Sequence, residues 1–320
     1  MNVERVVSSI NDLKALKSDP IGRDVRNLCQ ILARFCNPAN EGLLDFFEGG
    51  TEVGKYPQPE FFVEALEKAI DEYADFVDTG RIALYTDTGL SRGLNEDTWA
   101  ARQLADGVML YVCADGMGGH AGGEWASAEA CRVIIKMMAD KVKTSELEPL
   151  KKHLGAAILA ANQAVVAEGK RRGASIGTTV VAAMVSFRKL LMAHVGDSRG
   201  YLLRGGKLKP LTKDHSLVAL WVDRGKLTRE EARVHPKSNV LHSHIGQDDD
   251  LDMELNVFDL EAGDRVLICS DGLWGEVPEE ELESIACRFP LPRDCVQHLV
   301  RKAYEAGGSD NTTVLIIDIP

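Results

Sequence analysis

The sequence predicts an α+β fold with two layers of antiparallel sheet, and three observations predict it. β-rich runs follow one another across tight turns, with Gly205-Gly206 the clearest two-residue hairpin signal. Helical stretches come in pairs between blocks of strand, unlike the βαβ alternation of a parallel sheet. The 320 residues are 45% hydrophobic and 27% charged, an ordinary globular composition with length for about two domains.

Residues 1–80 read as helical. Val3 to Lys17 carries apolar residues at helical spacing and Pro20 stops it. Ile21 to Phe35 repeats the pattern up to Asn37-Pro38, and Gly49-Gly50 and Pro57-Gln58-Pro59 are breaks. Phe62, Leu66, Ala69, Ile70, Tyr73 and Val77 share one face of a helix ending near Gly80. This segment is expected to be a separate helical extension, followed by a second domain over 81–320.

The pattern then changes. Ile82, Leu84 and Thr86 alternate like a strand, and Val108 to Ala114 is a short apolar run of strand length. Gly122 to Asp140 and Pro149 to Arg172 read as two helices. Thr178 to Val185 and Leu190 to Val195 form a hairpin around a short polar turn, and Tyr201 to Arg204 with Lys207 to Leu211 form the next. Leu217 to Asp223 is a helix closed by Gly225, and Thr228-Arg229-Glu230-Glu231 is a capping box opening another. Leu251, Met253, Leu255 and Val257 alternate as a half-buried strand. Arg265 to Cys269 is a further apolar run, two helical stretches follow, and Thr313 to Ile319 closes the chain as a strand.

Charge and cysteine usage exclude several functions. Lys and Arg total 37 against 49 Asp and Glu, a net charge of −12, which argues against general nucleic-acid binding. Residues 1–80 hold 8 basic and 15 acidic side chains, so the acidic excess is concentrated there. The 7 cysteines include no pair at zinc or redox spacing, and the number is odd. A reducing, cytoplasmic location is expected. Met1 to Ser9 lacks a basic segment followed by an apolar stretch, and no apolar run approaches about 18 residues, so neither a signal peptide nor a membrane span is expected.

Several aspartates occupy one kind of place, where an apolar strand runs out into a glycine or polar turn. Asp115 precedes Gly116, Asp197 follows Gly196, Asp271 precedes Gly272, and Asp310-Asn311 stands before the last strand. Glu96-Asp97 follows a glycine-containing turn after the first strand. Each alone reads as a turn residue. Together, strand ends on a rigid sheet can gather carboxylates at one edge. A bare cluster would raise its own pKa values, and bound divalent cations would remove that penalty. Oxygen-only ligation suits Mg²⁺ or Mn²⁺ rather than Zn²⁺. Two such ions about 4 Å apart can activate a shared water and neutralise a phosphoryl group under attack.

Eight strings in one order carry a family resemblance. They are Thr86-Asp87-Thr88-Gly89 leading into Arg92-Gly93-Leu94-Asn95-Glu96-Asp97, then Asp115-Gly116-Met117-Gly118-Gly119-His120, Gly177-Thr178-Thr179 and Val195-Gly196-Asp197-Ser198-Arg199. Leu211 to Ser216, Ser270-Asp271-Gly272-Leu273 and Ser309-Asp310-Asn311-Thr312-Thr313 complete them. The chain resembles the metal-dependent Ser/Thr protein phosphatases, the protein phosphatase 2C family, in their bacterial form. The resemblance implies an αββα four-layer sandwich, two antiparallel sheets flanked by helix pairs. It implies that Asp115 bridges two metals, that Gly116 offers its carbonyl, and that Asp271, Asp310 and Glu96 complete the set. Asp197 with Asp271 would hold a third, weaker ion. Arg92 matches the arginine that holds the substrate phosphate, a task suited to a planar fork of donors. His120 is the candidate general acid, the alternative being that it only shapes its loop or bonds a metal-bound water.

The implied activity is hydrolysis of phosphoserine and phosphothreonine by water, with no phosphoenzyme, in signalling through phosphorylated protein substrates of a Ser/Thr kinase. Alternatives are a non-catalytic phosphoprotein-binding scaffold, against which the retained Asp115, Asp271, Asp310 and Arg92 speak, and a phosphatase of an anti-sigma antagonist. Asp97 reads as a support behind the metal ligands, Asp87 as a turn residue, Asp214-His215 as a cap and loop anchor, and Arg199 as a structural ion-pair partner. His235, His242 and His244 read as loop residues and Lys213 as solvated. Leu217 to Gln247 corresponds to the family's variable flap. Residues 1–80 fall outside the resemblance, with docking, regulation or plain packing as their open roles.

Overall fold

The computed structural model describes residues 81–105, 107–118, 122–233 and 235–320. The helices expected over 1–80 lie outside the described residues, as does His120. In chain order the strands are β1 (Ile82–Asp87), β2 (Asp97–Ala105), β3 (Val108–Met117), β4 (Gly177–Thr178), β5 (Val180–Ser186) and β6 (Lys189–Val195). There follow β7 (Arg199–Arg204), β8 (Lys207–Pro210), β9 (Glu254–Asp259), β10 (Arg265–Cys269) and β11 (Thr312–Asp318). The helices are α1 (Gly122–Lys141), α2 (Leu147–Arg172), α3 (Leu217–Asp223), α4 (Arg229–Arg233), α5 (Asp271–Trp274), α6 (Glu279–Arg288) and α7 (Pro292–Ala306).

Two antiparallel sheets form. One has the order β1-β11-β10-β7-β8, the other β2-β3-β5-β6-β9 with β4 paired to the end of β3. Alternate side chains of the second sheet (Leu110, Val112, Ala114, Ala182 and Met184) pack against Ile134 of α1 and Leu154 and Ile158 of α2. In the first sheet, Leu267, Val314 and Ile316 pack against Leu282 of α6 and Leu299 of α7. Full burial of one such side chain contributes about 2 kcal/mol. The intervening residues point the other way by the two-residue period of a strand. Yet Cys113, Val181, Ala183, Val266 and Ile268 are buried as well. Each sheet covers the other: a Cβ added to Gly200 of β7 would stand 2.5 Å from the Met192 sulfur of β6. The layers are therefore helix pair, sheet, sheet, helix pair, as the resemblance implied.

β2 and β3 depart from the sequence expectation at the edge that matters most. β2 was not foreseen, because Ala100, Ala101, Arg102, Gln103 and Leu104 favour helix. Pairing with β3 from Asp97↔Asp115 onward overrides that propensity. β3 does not end at Ala114 but continues through Asp115 and Gly116 to Met117, held by β4 through Gly116↔Thr178.

Candidate metal centre

The ends of β2, β3 and β11 and the starts of α1 and α5 meet at one edge of the sandwich. Thr178 and Thr179 grip the main chain of Asp115. The Asp115 N–H donates to Thr179 Oγ1 at 3.0 Å, and its carbonyl accepts from the Thr179 N–H and the Thr178 hydroxyl, each at 2.8 Å. The Gly116 N–H donates to the Glu96 carbonyl at 3.1 Å, and Ser127 Oγ of α1 donates to that same carbonyl at 2.6 Å. Only glycine fits at 116, because a Cβ there would lie 2.2 Å from the Gly123 carbonyl oxygen. The Glu96 side chain reaches the first turn of α1, where Oε1 would stand 2.6 Å from a Cβ on Gly123.

Asn311 ties the arginine-bearing turn to the last strand. Its Oδ1 accepts from the Glu96 N–H at 2.8 Å, and its Nδ2 donates to the carbonyls of Thr88 at 3.0 Å and Leu94 at 2.9 Å. Beside it, Asp310 Oδ2 accepts from Arg92 Nη2 at 2.6 Å. Asp97 is buried beneath, and its Oδ2 accepts from Ser270 Oγ and Thr313 Oγ1, each at 2.7 Å. Asp197 follows Gly196, which adopts φ +101° and packs against Thr179. A side chain at 196 would be both strained and in collision.

The electrostatics of this edge are unfavourable for bare carboxylates. Asp115 and Asp271 keep part of their surface open to solvent, with protein crowding the remaining sides. Burial, then the charges of Asp271, Asp97, Asp197 and Asp310, hold Asp115 well above the usual carboxylate range. Burial, then Asp310, pushes Asp271 up to about 6, against the opposing hydrogen bond with Asp115 and the charge of Arg92. Burial raises Asp97 to about 7 despite its two hydroxyl donors. Asp197 is raised by burial and then by Asp271 and Asp214. Two buried oxygens in this group, Glu96 Oε1 and Asp97 Oδ1, have no hydrogen-bond donor. Oxygen donors with uncompensated negative charge fit hard divalent cations.

Asp115, Asp271, Asp310, Asp197, Glu96 and Arg92 are thus brought to one place, with the Gly116 backbone among them. Other expectations are met by contacts. Asp87 Oδ1 accepts from the Gly89 N–H at 2.9 Å, a turn role. Arg199 forks onto Asp214 at 2.9 and 2.8 Å and stacks over Trp274 at 3.6 Å. His215 anchors its loop by accepting from the Gly196 N–H at 3.3 Å, but the cap of α3 is Ser216, not Asp214. Lys213 is exposed, as expected, and pairs with Asp223 at the surface. The supporting roles of Asn311, Thr179 and Ser270 were missed. A hydroxyl or amide next to each acidic strand end was the available signal.

The sequence profile described as Protein phosphatase 2C matches residues 90–300. The chain is 35% identical over 235 residues to the serine/threonine phosphatase stp of Listeria monocytogenes, covering 73% of this chain and 93% of that one. It is 37% identical over 242 residues to the serine/threonine protein phosphatase PstP of Mycobacterium tuberculosis, covering 75% of this chain and 45% of that one. Among solved structures, the serine/threonine phosphatase of S. agalactiae superposes with a TM-score of 0.70 at 34% identity, covering 75% and 99% of the two chains. The catalytic domain of PstP in complex with 2 manganese ions superposes with a TM-score of 0.66 at 34% identity, covering 74% and 97%. Similarity of sequence and of fold over the same residues leads to one conclusion: this chain belongs to the protein phosphatase 2C family and is a metal-dependent phosphatase of phosphoserine and phosphothreonine in proteins.

Proposed function

We propose that Asp115, Asp271, Asp310, Glu96 and the Gly116 carbonyl hold the pair of Mn²⁺ or Mg²⁺ ions in this chain, and that Asp197 with Asp271 holds a third. The observation carrying this reading is the pair of buried, donorless oxygens on Glu96 and Asp97 within a carboxylate group that resists ionisation. When bound, the cations neutralise phosphoryl charge and lower the pKa of a water. Arg92 binds and orients the substrate phosphate, since half its side chain is exposed and its exposed ion pair with Asp310 is easily exchanged. Asp97 holds Ser270 and Thr313, and through them the backbone on which Asp271 stands. His120 gives a proton to the departing serine or threonine oxygen.

Titration calorimetry tests the ligand set. Mn²⁺ uptake is expected in the wild type and lost in the Asp115→Asn, Asp271→Asn double variant, together with turnover of p-nitrophenyl phosphate. Undiminished uptake would overturn the assignment. The His120 role has its own test. His120→Ala slows hydrolysis of a phosphoserine peptide but spares p-nitrophenyl phosphate, whose leaving group departs without a proton.

We further assign to the enzyme the cytoplasmic products of a Ser/Thr kinase as substrates. No helix among the described residues is long and apolar enough to cross a membrane. To residues 1–80, which the family match does not include, we assign a docking or regulatory role. A chain beginning at Gly80 that turns over peptide normally and retains every partner of the full chain would remove that role.

A further inference from the structure

Beside the Asp197 turn, three side chains of different chemistry converge. His194 on β6 and Glu254 on β9 are cross-strand partners, so both side chains leave the same face of the sheet. His215 joins them from the segment after β8. One ligand-capable atom from each of the three lies within 4.8 Å of the others. The two histidines are 1% and 3% exposed, and their rings are 4.7 Å apart. Glu254 is half-buried, leaving the cluster open on its side.

The hydrogen bonds make this more than proximity. His194 Nε2 is 2.8 Å from the Lys213 carbonyl oxygen and 3.3 Å from the Lys213 N–H; the shorter contact assigns Nε2 as the donor, which leaves Nδ1 with a lone pair. Metal-bound histidines characteristically donate their second ring N–H to a carbonyl in this way. His215 Nε2 is buried with no hydrogen-bond partner and stands 3.9 Å from Glu254 Oε1. Burial, and then the neighbouring His194, lower its pKa to about 4, so the ring is neutral near neutral pH. Two imidazoles and one carboxylate form a borderline donor set preferred by Zn²⁺ and Co²⁺, unlike the all-oxygen edge nearby. Metal–nitrogen bonds of about 2.0–2.1 Å in a tetrahedron place the donors about 3.4 Å apart. The three atoms need to close by little more than an ångström, and Glu254 has room to move.

We propose that His194, His215 and Glu254 form a binding site for a zinc-class transition-metal ion, separate in donor chemistry from the catalytic carboxylates. Occupancy has a consequence for the adjacent turn. A neutral imidazole carries one ring proton. His215 Nδ1 accepts from the Gly196 N–H at 3.3 Å, which places that proton on Nε2. Coordination through Nε2 moves the proton to Nδ1, and the bond from Gly196 is lost. Gly196 precedes Asp197, so the ion loosens the turn on which Asp197 is carried. The effect on a third cation rests on the Asp197 assignment made above; binding at the His194 cluster does not.

The test uses the full chain with the carboxylate edge saturated by Mg²⁺, which has no visible spectrum. Titration with Co²⁺ is expected to give the intense d–d absorption of tetrahedral nitrogen and oxygen coordination, saturating at one ion per chain and displaced by Zn²⁺. Glu254→Gln and His194→Gln each lose the band. Glu254→Gln keeps wild-type turnover of p-nitrophenyl phosphate with Mn²⁺, which shows the fold intact. In ¹⁵N spectra of wild type with Mg²⁺, the Gly196 amide shifts as Zn²⁺ is added, and in Glu254→Gln it does not. Absence of a tetrahedral band, or an undiminished band in the Glu254→Gln, His194→Gln double variant, overturns the site. Failure of the carboxylate ligand set would appear instead as loss of Mn²⁺ dependence with the Co²⁺ band retained.

Discussion

Arg92 grips Asp310 at 2.6 Å while half of its side chain stays in water. An ion pair so exposed is worth about 0–1 kcal/mol, so exchange of Asp310 for a phosphate costs little. The planar guanidinium matters more than the charge, because two parallel donors match two phosphate oxygens. Arg92→Lys is therefore expected to lower kcat/KM for a phosphothreonine peptide by about 10- to 100-fold, the loss of one charge-assisted hydrogen bond. Mn²⁺ affinity by calorimetry should stay within a factor of a few. Gly116 makes the opposite kind of demand, on space. Its missing Cβ lets β3 pass within contact of the Gly123 and Glu96 carbonyls. Gly116→Ala must push the start of α1 away, and urea unfolding should report a loss of at least about 1–3 kcal/mol. These roles differ in how far the sequence reveals them. The Asp-Gly pairs at strand ends are visible because turn chemistry and strand chemistry meet there. Asp97 reads as a support beside Glu96 because neighbours in an extended segment point opposite ways, and its hydrogen bonds from Ser270 and Thr313 fit that role.

The elements that hold the site are secured by few side chains, and Asn311 is the clearest. It closes hydrogen bonds to three main-chain groups, at Thr88, Leu94 and Glu96, and so shapes the whole turn between β1 and β2 that presents Arg92. Asn311→Ala leaves these groups without their partner, at about 1–3 kcal/mol for each one kept from water. Thermal melts should fall, and KM for phosphopeptide should rise more than kcat falls, since the turn positions the arginine proposed to bind phosphate. Equal losses in both constants for Asn311→Ala and Asn311→Asp would contradict that placement. The segment from α3 to α4 is tied down differently. Its capping box forms as read from the sequence, with Thr228 and Glu231 exchanging bonds at 2.8 and 3.1 Å. Arg233 then donates to the Gly275 carbonyl at 2.9 Å, just past α5 and its Asp271. Hairpins and the long helices were legible because periodicity and turn residues are local. β2 was not, because Ala, Arg, Gln and Leu in a row signal helix and only β3 makes them a strand. β9 begins three residues later than the alternation from Leu251 suggested. Leu251 and Met253 pack against the core outside the strand.

At the scale of the whole molecule, the carboxylate edge opposes folding while it is bare, and its pH dependence is the test. In chelator, Asp271 and Asp97 carry pKa values of about 6 and about 7, against about 4 in an unfolded chain. Between those limits the native state binds more protons than the unfolded one. The slope of unfolding free energy with pH is then negative, and this edge loses stability as pH rises from about 4 to about 7. His215 has the opposite sign. Its pKa near 4 in the fold, below about 6.5 when unfolded, adds stability over much the same range as the unfolded ring loses its proton. A melting curve of the wild type alone mixes the two. The difference between wild type and Asp271→Asn isolates the edge, since His215 is common to both. In chelator, Asp271→Asn should melt progressively higher than wild type as pH increases through the window, by on the order of 1–3 kcal/mol at its upper end. Excess Mn²⁺ should reverse the order above about pH 6, because ionised carboxylates then gain a partner that asparagine cannot bind as well. A difference that stays flat with pH in chelator would mean that the carboxylates are not charged against one another, and the physical reason for a metal at this edge would fall with it.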